Sequence, residues 1–339
     1  MLEEIYRTTL DRCAPERLIA KVWRDDFPRT VVAIGKCAGA LRDGIDCDEA
    51  FVAIPHGYCE PRKPAIVAFG THPNYSEASF EAGRRLLEFV DAHDDITFIV
   101  SGGGSATVEV PLRENSIEEN RRLIDSGMTI AEINAHRKAM SAIKGGKLAQ
   151  RVRGRCVTLV YSDVSRGKLA DVASGPTIPG SDEVVLIADN DTLTATAAEV
   201  AREHGLKPTV LPDQIESDVE AAVKELAKAK FGDVLIAGGE ITTTVHGDGK
   251  GGRCSELALR YLLAGGRDPA LFGSSDGMDG NSGAAGIVFE PVPSQIDRHA
   301  IETELAKSNS FPLAAAIGRA IMIPPAGNNL RDLYLLARG

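Results

Sequence analysis

Short, continuous apolar runs alternate along the chain with longer amphipathic stretches. The clearest runs are Thr30–Ile34, Ile96–Val100, Cys156–Tyr161 and Asp233–Ala237, and each is followed by Gly or Ser. Runs of this length are typical of strands buried on both faces, as in a parallel sheet. The stretches between them, such as Ser76–Ala92, have the spacing of amphipathic helices. Strand alternating with helix predicts an α/β protein with a doubly wound, mostly parallel sheet.

The density of glycine-rich loops changes along the chain and suggests a second domain. From Gly238 onward the loops GDGKGGR and SSDGMDGNSGAAG follow one another closely. The preceding segment, 213–232, is charged and helical rather than linker-like, so any boundary near it is soft. We predict a Rossmann-like α/β domain over residues 1–232 and a second, smaller α/β domain over residues 233–339.

Charge and composition narrow the range of partners. The 339 residues include 38 Lys and Arg against 48 Asp and Glu, a formal net charge of −10. A nucleic-acid or anionic-membrane surface would need a basic field, so we expect neither partner. The apolar runs are shorter than the ~18 residues that span a bilayer, and the start lacks a signal-peptide pattern. The six cysteines form no C-x-x-C pair or zinc spacing. We expect a cytoplasmic protein with small-molecule ligands, and the sequence leaves homo-oligomerisation open.

Glycine-rich turns follow the predicted strands. In open α/β sheets, ligands bind beyond the carboxyl ends of the strands, which is where these turns would lie. Consecutive glycine N–H groups suit a phosphate, whereas Lys36 offers a mobile ammonium. The alternative, a tight strand-to-helix turn, explains such glycines about equally well. The chain has neither G-x-x-x-x-G-K-[ST] nor a G-x-G-x-x-G after a strand, so a P-loop or dinucleotide fingerprint is not supported. The candidate phosphate contacts are Gly35, Ser101, Gly102, Gly103, Gly104, Ser105, Gly251 and Gly252.

A basic segment over residues 134–147 stands out in an acidic protein. Helical spacing places its polar residues on neighbouring faces, where they could bind an anionic substrate. A solvated helix face is the alternative. A histidine in a loop is a further polar or acid/base candidate, although such residues are more often structural or solvated. The candidate substrate-binding residues are His72, Asn134, Arg137, Lys138 and Lys144.

Four acidic residues lie in glycine-flanked turns: Asp163, Glu240, Asp276 and Asp279. Mg²⁺ is usually held by one or two carboxylates together with substrate phosphates, so these residues are candidate metal ligands. The alternative is that acidic residues in turns cap backbone N–H groups. The spacing of the last two does not match a calcium-binding EF-hand loop.

Arg253 follows Gly251 and Gly252 and precedes a predicted helix. A cation near a helix N-terminus is electrostatically unfavourable, so its position indicates a function rather than a contribution to helix stability. A guanidinium fork at this position could hold a transferring phosphoryl group in a bidentate manner.

Nine segments, spread over nearly the whole chain, form an ordered set. They are AIGKCAGA (33–40), GTHPNYSEASFEAGRRLLE (70–88), SGGGSATVEVP (101–111), INAHRKAMSAIKGGKLA (133–149), SDV (162–164), ASGPT (173–177), GGEITTTVHGDGKGGRCSELAL (238–259), SSDGMDGNSGAAG (274–286) and AGNNLRDL (326–333). Together, in this order, they resemble the glycerate 2-kinase family, which has a glycerate-kinase N-terminal region and a MOFRL C-terminal region. The resemblance implies phosphorylation of the 2-hydroxyl of D-glycerate to 2-phosphoglycerate with ATP and Mg²⁺, in a cleft between two domains. It also places the functional lysine of the family at Lys36 and its functional arginine at Arg253.

The chain also departs from the family pattern. Arg166, Gly167 and Lys168 replace a turn that is usually rich in Gly and Asp. Three alternatives to a glycerate kinase therefore stay open. They are a kinase of a larger aldonate, a hydroxypyruvate reductase, and a nucleotide- or sugar-acid-binding protein without turnover. The missing dinucleotide fingerprint argues against the reductase.

Overall fold

The chain divides into two compact units in a computed structural model that describes residues 1–114, 116–126, 128, 130–292, 295–324 and 327–338. The central unit comprises Ala14–Asp189, and the terminal unit combines Met1–Cys13 with Asn190–Gly339. These units differ from the division at residue 232 expected from the loop pattern. The terminal unit starts earlier because residues 190–232 supply a strand and helices that pack on its sheet.

Helices cover much of both units. Within the described residues, no helix combines the length and apolar character needed to cross a bilayer. Short 3₁₀-helices cover Ala149–Arg151 and Leu169–Ser174. The α-helices are α1 (Leu2–Arg12), α2 (Pro15–Val22), α3 (Ala38–Asp43), α4 (Glu77–Asp91), α5 (Gly104–Thr107), α6 (Ser116–Asp125), α7 (Ile130–Met140), α8 (Asn190–Glu203), α9 (Val219–Lys228), α10 (Arg253–Leu263), α11 (Arg298–Ala306) and α12 (Ser310–Ile317).

The central unit contains a six-stranded sheet with the order β3-β2-β1-β4-β5-β6, and all neighbouring strands are parallel. The strands are β1 (Thr30–Ile34), β2 (Glu49–Pro55), β3 (Ile66–Gly70), β4 (Ile96–Ser101), β5 (Cys156–Tyr161) and β6 (Glu183–Ala188). This is the strand order of the doubly wound Rossmann fold, so the predicted parallel sheet is confirmed. The order reverses between β1 and β4, which makes the carboxyl ends of these two strands the topological switch point.

Apolar side chains from both the sheet and α4 form the core of the central unit. The β4 strand is buried along its whole length, as its continuous apolar sequence predicts. Helix α4 begins where the Ser76 side chain accepts a hydrogen bond from the Ala78 N–H. Its apolar face, including Leu86 and Phe89, packs against Phe51 and Phe98 of the sheet.

The terminal unit contains a mixed six-stranded sheet with the order β11-β10-β9-β12-β8-β7. Strands β7 and β8 are parallel, and the other neighbouring pairs are antiparallel. The strands are β7 (Pro208–Val210), β8 (Val234–Gly239), β9 (Ala270–Ser274), β10 (Gly286–Phe289), β11 (Arg319–Ile321) and β12 (Asp332–Ala337). The antiparallel pairing was not anticipated from the sequence, although the expected second α/β unit is present.

The register of β12 determines which residues of the terminal unit lie around Asp332. This strand lies between β8 and β9, with Asp332 paired with Gly239 on one side and Ser274 on the other. Because β12 runs antiparallel to both neighbours, its first residue lies beside their carboxyl ends. Polar residues that follow β8 and β9 therefore gather around Asp332.

Candidate active site

The switch point of the central sheet joins the turn after β1 to the turn after β4. The Lys36 N–H donates to the Gly102 carbonyl at 2.9 Å. The buried Ser101 hydroxyl accepts from the Cys37 N–H at 3.2 Å and donates to the Ile34 carbonyl at 3.1 Å, so both contacts hold the turn. Gly35 has a φ of +115°, and a Cβ there would lie only 2.5 Å from Ser101 oxygens. Glycine is therefore needed for the two turns to approach this closely.

Lys36 and His72 share the space above Gly103. A Cβ at Gly103 would lie 2.8 Å from Lys36 Cγ and 3.2 Å from His72 Cδ2. Gly103 also has a φ of +80°, which side-chain-bearing residues rarely adopt. The Lys36 ammonium lies 5.9 Å from the ring centre of Tyr58. The structure therefore brings together three of the residues predicted to bind ligands, while their neighbour Gly104 is buried.

The environment of His72 is cationic. Partial loss of hydration and the nearby charges of Lys36 and Arg137 lower the pKa of His72 to about 4. Arg137 donates from Nε to Asn120 Oδ1 at 2.9 Å. Burial lowers the pKa of Arg137, but its guanidinium remains charged at neutral pH. At neutral pH two cations therefore flank a neutral imidazole. Such a cluster is suited to a carboxylate or phosphate anion.

Ser105 and Asn134 meet through a third residue, Ser174. The Ser105 and Ser174 hydroxyls lie 2.9 Å apart, and Ser174 donates to Asn134 Oδ1 at 3.0 Å. Ser174 and its neighbour Ala173 have φ values of +60° and +52°. Such left-handed conformations cost on the order of 1–3 kcal/mol each and persist where the surrounding structure holds them. This contact joins α5 and α7 to the loop that follows β5.

Two predicted substrate-binding lysines have protein partners instead. Lys138 donates to Asp171 Oδ1 and to the Ala170 carbonyl, both at 3.3 Å. Lys144 is 1% exposed and forms an ion pair with buried Glu109. The expectation that Lys144 contacts substrate is therefore not met, because its ammonium is enclosed and neutralised within the fold.

In the terminal unit, Asp332 holds Arg253 by a two-point contact. Arg253 Nε donates to one carboxylate oxygen at 2.6 Å and Nη2 donates to the other at 2.8 Å. Asp332 is fully buried and also accepts from the Tyr334 hydroxyl at 2.9 Å. Burial alone would lower the pKa of Arg253, but the Asp332 carboxylate and Glu240 raise it well above its ordinary value. Arg253 is thus permanently charged and held in one orientation.

Sequence reasoning missed Asp332 and also a second arginine, Arg331. Arg331 is 7% exposed, and its Nη1 donates to Gln214 at 2.8 Å and to Glu216 at 2.5 Å. Both residues belong to the segment AGNNLRDL, which carries the family resemblance but no obvious catalytic motif. Asp332 is 79 residues away from Arg253 in the chain, so spacing alone does not connect them.

The proposed magnesium ligands are engaged in contacts within the protein. Asp279 is fully buried and accepts from the N–H groups of Cys254 and Ser255 at 2.8 and 2.9 Å. Asp279 thus caps the start of α10, which was the alternative interpretation. Asp276 accepts from the Ser274 hydroxyl and the Met278 N–H at 2.8 and 2.9 Å.

The other two candidate metal ligands lie in different units of the chain. Glu240 faces Arg253 and Arg331, and Asp163 belongs to the central unit rather than the terminal one. Across the described ranges, no group of three or more His, Cys, Asp or Glu residues is arranged to hold a metal ion. The turn that carries Asp163 continues into exposed Arg166.

The N–H groups of Gly251 and Gly252 have internal acceptors. Gly251 donates to Asn281 Oδ1 at 2.7 Å, and Gly252 donates to the Ser255 hydroxyl at 3.0 Å. These glycines therefore hold the loop before α10 in place rather than offering free donors to a phosphate. Beside them lies a cavity of about 440 Å³ within the terminal unit, and its lining residues include Thr243, Asn281 and Ser310. Its volume is within the range of small-molecule sites.

Two family models match successive parts of the chain. A family described as a domain of unknown function (DUF4147) matches residues 1–216, and the MOFRL family matches residues 233–332. A glycerate 2-kinase from Sulfurisphaera tokodaii is 30% identical and covers 91% of this chain and 90% of its own length. The chain belongs to the glycerate 2-kinase family.

Two further proteins extend the range of similarity. The crystal structure of a glycerate kinase from Thermotoga maritima has a TM-score of 0.83 and 26% identity, covering 100% of this chain and 98% of that one. A protein named putative hydroxypyruvate reductase from Agrobacterium vitis is 29% identical and covers 91% of this chain and 99% of its own. The Lys36 cluster lies in the DUF4147 region of the family, whereas Arg253 and Asp332 lie in the MOFRL region.

Lys144→Met should destabilise the central unit without acting through the site. The substitution leaves the Glu109 carboxylate buried without its partner, which typically costs about 3–5 kcal/mol of unfolding free energy. Urea denaturation measures this loss. The double variant Lys144→Met with Glu109→Leu should recover much of it, because no buried charge remains. A loss below ~1 kcal/mol in the single variant would contradict the structural role.

The charge environment of His72 can be measured by NMR. The imidazole of His72 should titrate well below pH 6.5, near pH 4, and the variant His72→Asn identifies its signal. Lys36→Ala should raise this midpoint, because it removes a positive charge that disfavours protonation. A midpoint near 6.5 that does not respond to Lys36→Ala would show that the two side chains do not share one site.

Proposed function

We propose that this protein is an ATP-dependent kinase that phosphorylates the 2-hydroxyl of D-glycerate to give 2-phosphoglycerate. One observation carries the proposal: Asp332 holds the charged, part-buried Arg253 in a fixed orientation. The chain that contains this pair belongs to the glycerate 2-kinase family. In the reaction, the bond between the γ-phosphorus and the ADP oxygen breaks. A bond from that phosphorus to the 2-hydroxyl oxygen forms, and the hydroxyl proton is released.

Arg253 is suited to the charge that develops during this transfer. Phosphoryl transfer depends on positioning and charge neutralisation more than on covalent chemistry. Asp332 fixes the Arg253 guanidinium before the substrate binds, so little conformational freedom remains to be lost on binding. We assign to Arg253 the stabilisation of negative charge on the transferred group.

The cationic cluster of the central unit is suited to the anionic acid. Lys36 and Arg137 supply positive charge around neutral His72. A carboxylate is favoured by both cations, and a neutral imidazole can accept a hydrogen bond from a hydroxyl group. We assign to this cluster the binding and orientation of the hydroxy acid, with Lys36 able to follow the transferring group.

The nucleotide brings Mg²⁺ with it as part of the substrate. Two observations support this assignment: Asp279 caps the start of α10, and Glu240 faces Arg253. The cavity beside Arg253 supports nucleotide binding in the terminal unit. Its hydroxyl and amide groups, from Thr243, Asn281 and Ser310, suit the hydroxyls of a ribose.

A coupled assay for ADP release tests the proposal directly. D-Glycerate should be turned over in the presence of ATP and Mg²⁺, and aldonates of four to six carbons serve as competing candidates. NADH oxidation with hydroxypyruvate, assayed in parallel, should be absent because the dinucleotide fingerprint is missing. Failure to phosphorylate any of these acids would contradict the kinase assignment, and NADH oxidation would favour the reductase.

Arg253→Ala should lower kcat by about 10³-fold, because an arginine that stabilises phosphoryl-transfer charge has an effect of this order. Lys36→Ala should also abolish most turnover, since it removes a cation from the acid-binding cluster. Arg260→Ala is the matched control: Arg260 lies on the same helix and pairs with Glu256 at 2.7 Å, so kcat should stay within about twofold. Near-wild-type kcat in either active-site variant would remove that residue from the mechanism.

A further inference from the structure

Arg331 is held in a conformation that arginine rarely adopts. Its φ is +67°, in the left-handed region. The backbone is clamped on both sides, because Asn190 Nδ2 donates to the carbonyls of Leu330 at 2.8 Å and Asp332 at 3.0 Å. The Ser275 N–H donates to the Arg331 carbonyl itself at 2.8 Å. Strain that is held this firmly is typical of functional positions.

The guanidinium groups of Arg331 and Arg253 converge on one carboxylate. Glu240 Oε1 lies 3.2 Å from Arg253 Nη1, and Glu240 Oε2 lies 3.4 Å from Arg331 Nε. Both distances are longer than the 2.6 and 2.8 Å contacts between Arg253 and Asp332. The Glu240 side chain is 39% exposed, whereas Asp332 is fully buried. Glu240 is therefore the more readily displaced of the two carboxylates.

A carboxylate between two arginines occupies the position that a phosphate would favour. Both anions present oxygen atoms to guanidinium N–H groups, but a phosphate carries more charge and more acceptors. Asp332 would remain on Arg253 while the phosphate replaces Glu240. The exposure of Glu240 gives its side chain solvent to move into, so the exchange leaves no buried carboxylate without a partner.

We propose that Arg331 and Arg253 form a phosphate-binding subsite that Glu240 occupies until phosphate displaces it. The inference rests on the proposed function, which supplies a phosphorylated substrate and product, and assigns a role to Arg331 that the kinase proposal does not require. Arg331 is then a binding residue, and Glu240 is a competitor for the site rather than a metal ligand.

Titration calorimetry with inorganic phosphate tests this subsite. The titrations are run with EDTA at constant ionic strength, so that neither Mg²⁺ nor bulk screening contributes. Glu240→Gln removes the competing charge and should tighten phosphate binding at least fivefold. Arg331→Gln should weaken it at least fivefold. Glu220→Gln is the matched control, because Glu220 also pairs with an arginine, Arg260, at 3.2 Å. The phosphate affinity of this variant should stay within twofold of wild type.

Three results would overturn the inference. The first is an unchanged or weaker phosphate affinity in Glu240→Gln. The second is an equal gain in Glu220→Gln, which would show a general effect of net charge. The third is wild-type affinity in Arg331→Gln. If Arg331→Gln does not fold, the comparison of Glu240→Gln with Glu220→Gln decides alone.

These titrations require no turnover, so they separate the inference from the kinase proposal. Turnover of D-glycerate together with unchanged phosphate affinity in Glu240→Gln would overturn the subsite alone. The expected pattern of phosphate affinities without phosphorylation of any acid would overturn the kinase assignment alone.

Discussion

The two-point contact between Asp332 and Arg253 ties the fold of the terminal unit to its chemistry. Asp332 is fully buried, and an unpartnered carboxylate in that place would cost several kcal/mol. The pair exists because β12 runs antiparallel between β8 and β9, which brings its first residue to the start of α10. The same register gathers Glu240 and Ser274 around the guanidinium. The site of this unit is therefore a direct result of strand order.

In the central unit, the order of the parallel strands brings the candidate site residues together. The turns after β1 and β4 are neighbours only because the order reverses between them. Gly35 and Gly103 allow these turns to approach each other, and the space they leave is occupied by Lys36 and His72. Each unit thus places a cation at the end of a sheet. In the central unit, Lys36 lies beside a neutral imidazole and a second cation. In the terminal unit, Arg253 lies between carboxylates.

Features that depend on neighbouring residues were predicted from the sequence, whereas features that depend on distant residues were not. Strands β1 and β5 were predicted to the residue, because continuous apolar runs directly reflect burial on both faces. The antiparallel strand β12 was missed, since its pairing depends on residues far away in the sequence. Lys144 and Asp279 have the residue types of a site, yet packing encloses both, and composition cannot distinguish a buried ion pair or cap from a ligand contact. Asp332 and Arg331 became visible only through their long-range partners.

The kinetic effect of Asp332→Asn tests most directly whether the held arginine performs the chemistry. Asparagine keeps the size of the side chain but cannot accept both N–H groups of Arg253, so the guanidinium should lose its fixed orientation. We expect kcat to fall by about 10²-fold, the scale of small misplacements of a catalytic group, with the KM for ATP changed less than threefold. Tyr334→Phe, which removes only the supporting hydroxyl, should have a much smaller effect. A folded Asp332→Asn variant with wild-type kcat would contradict the account.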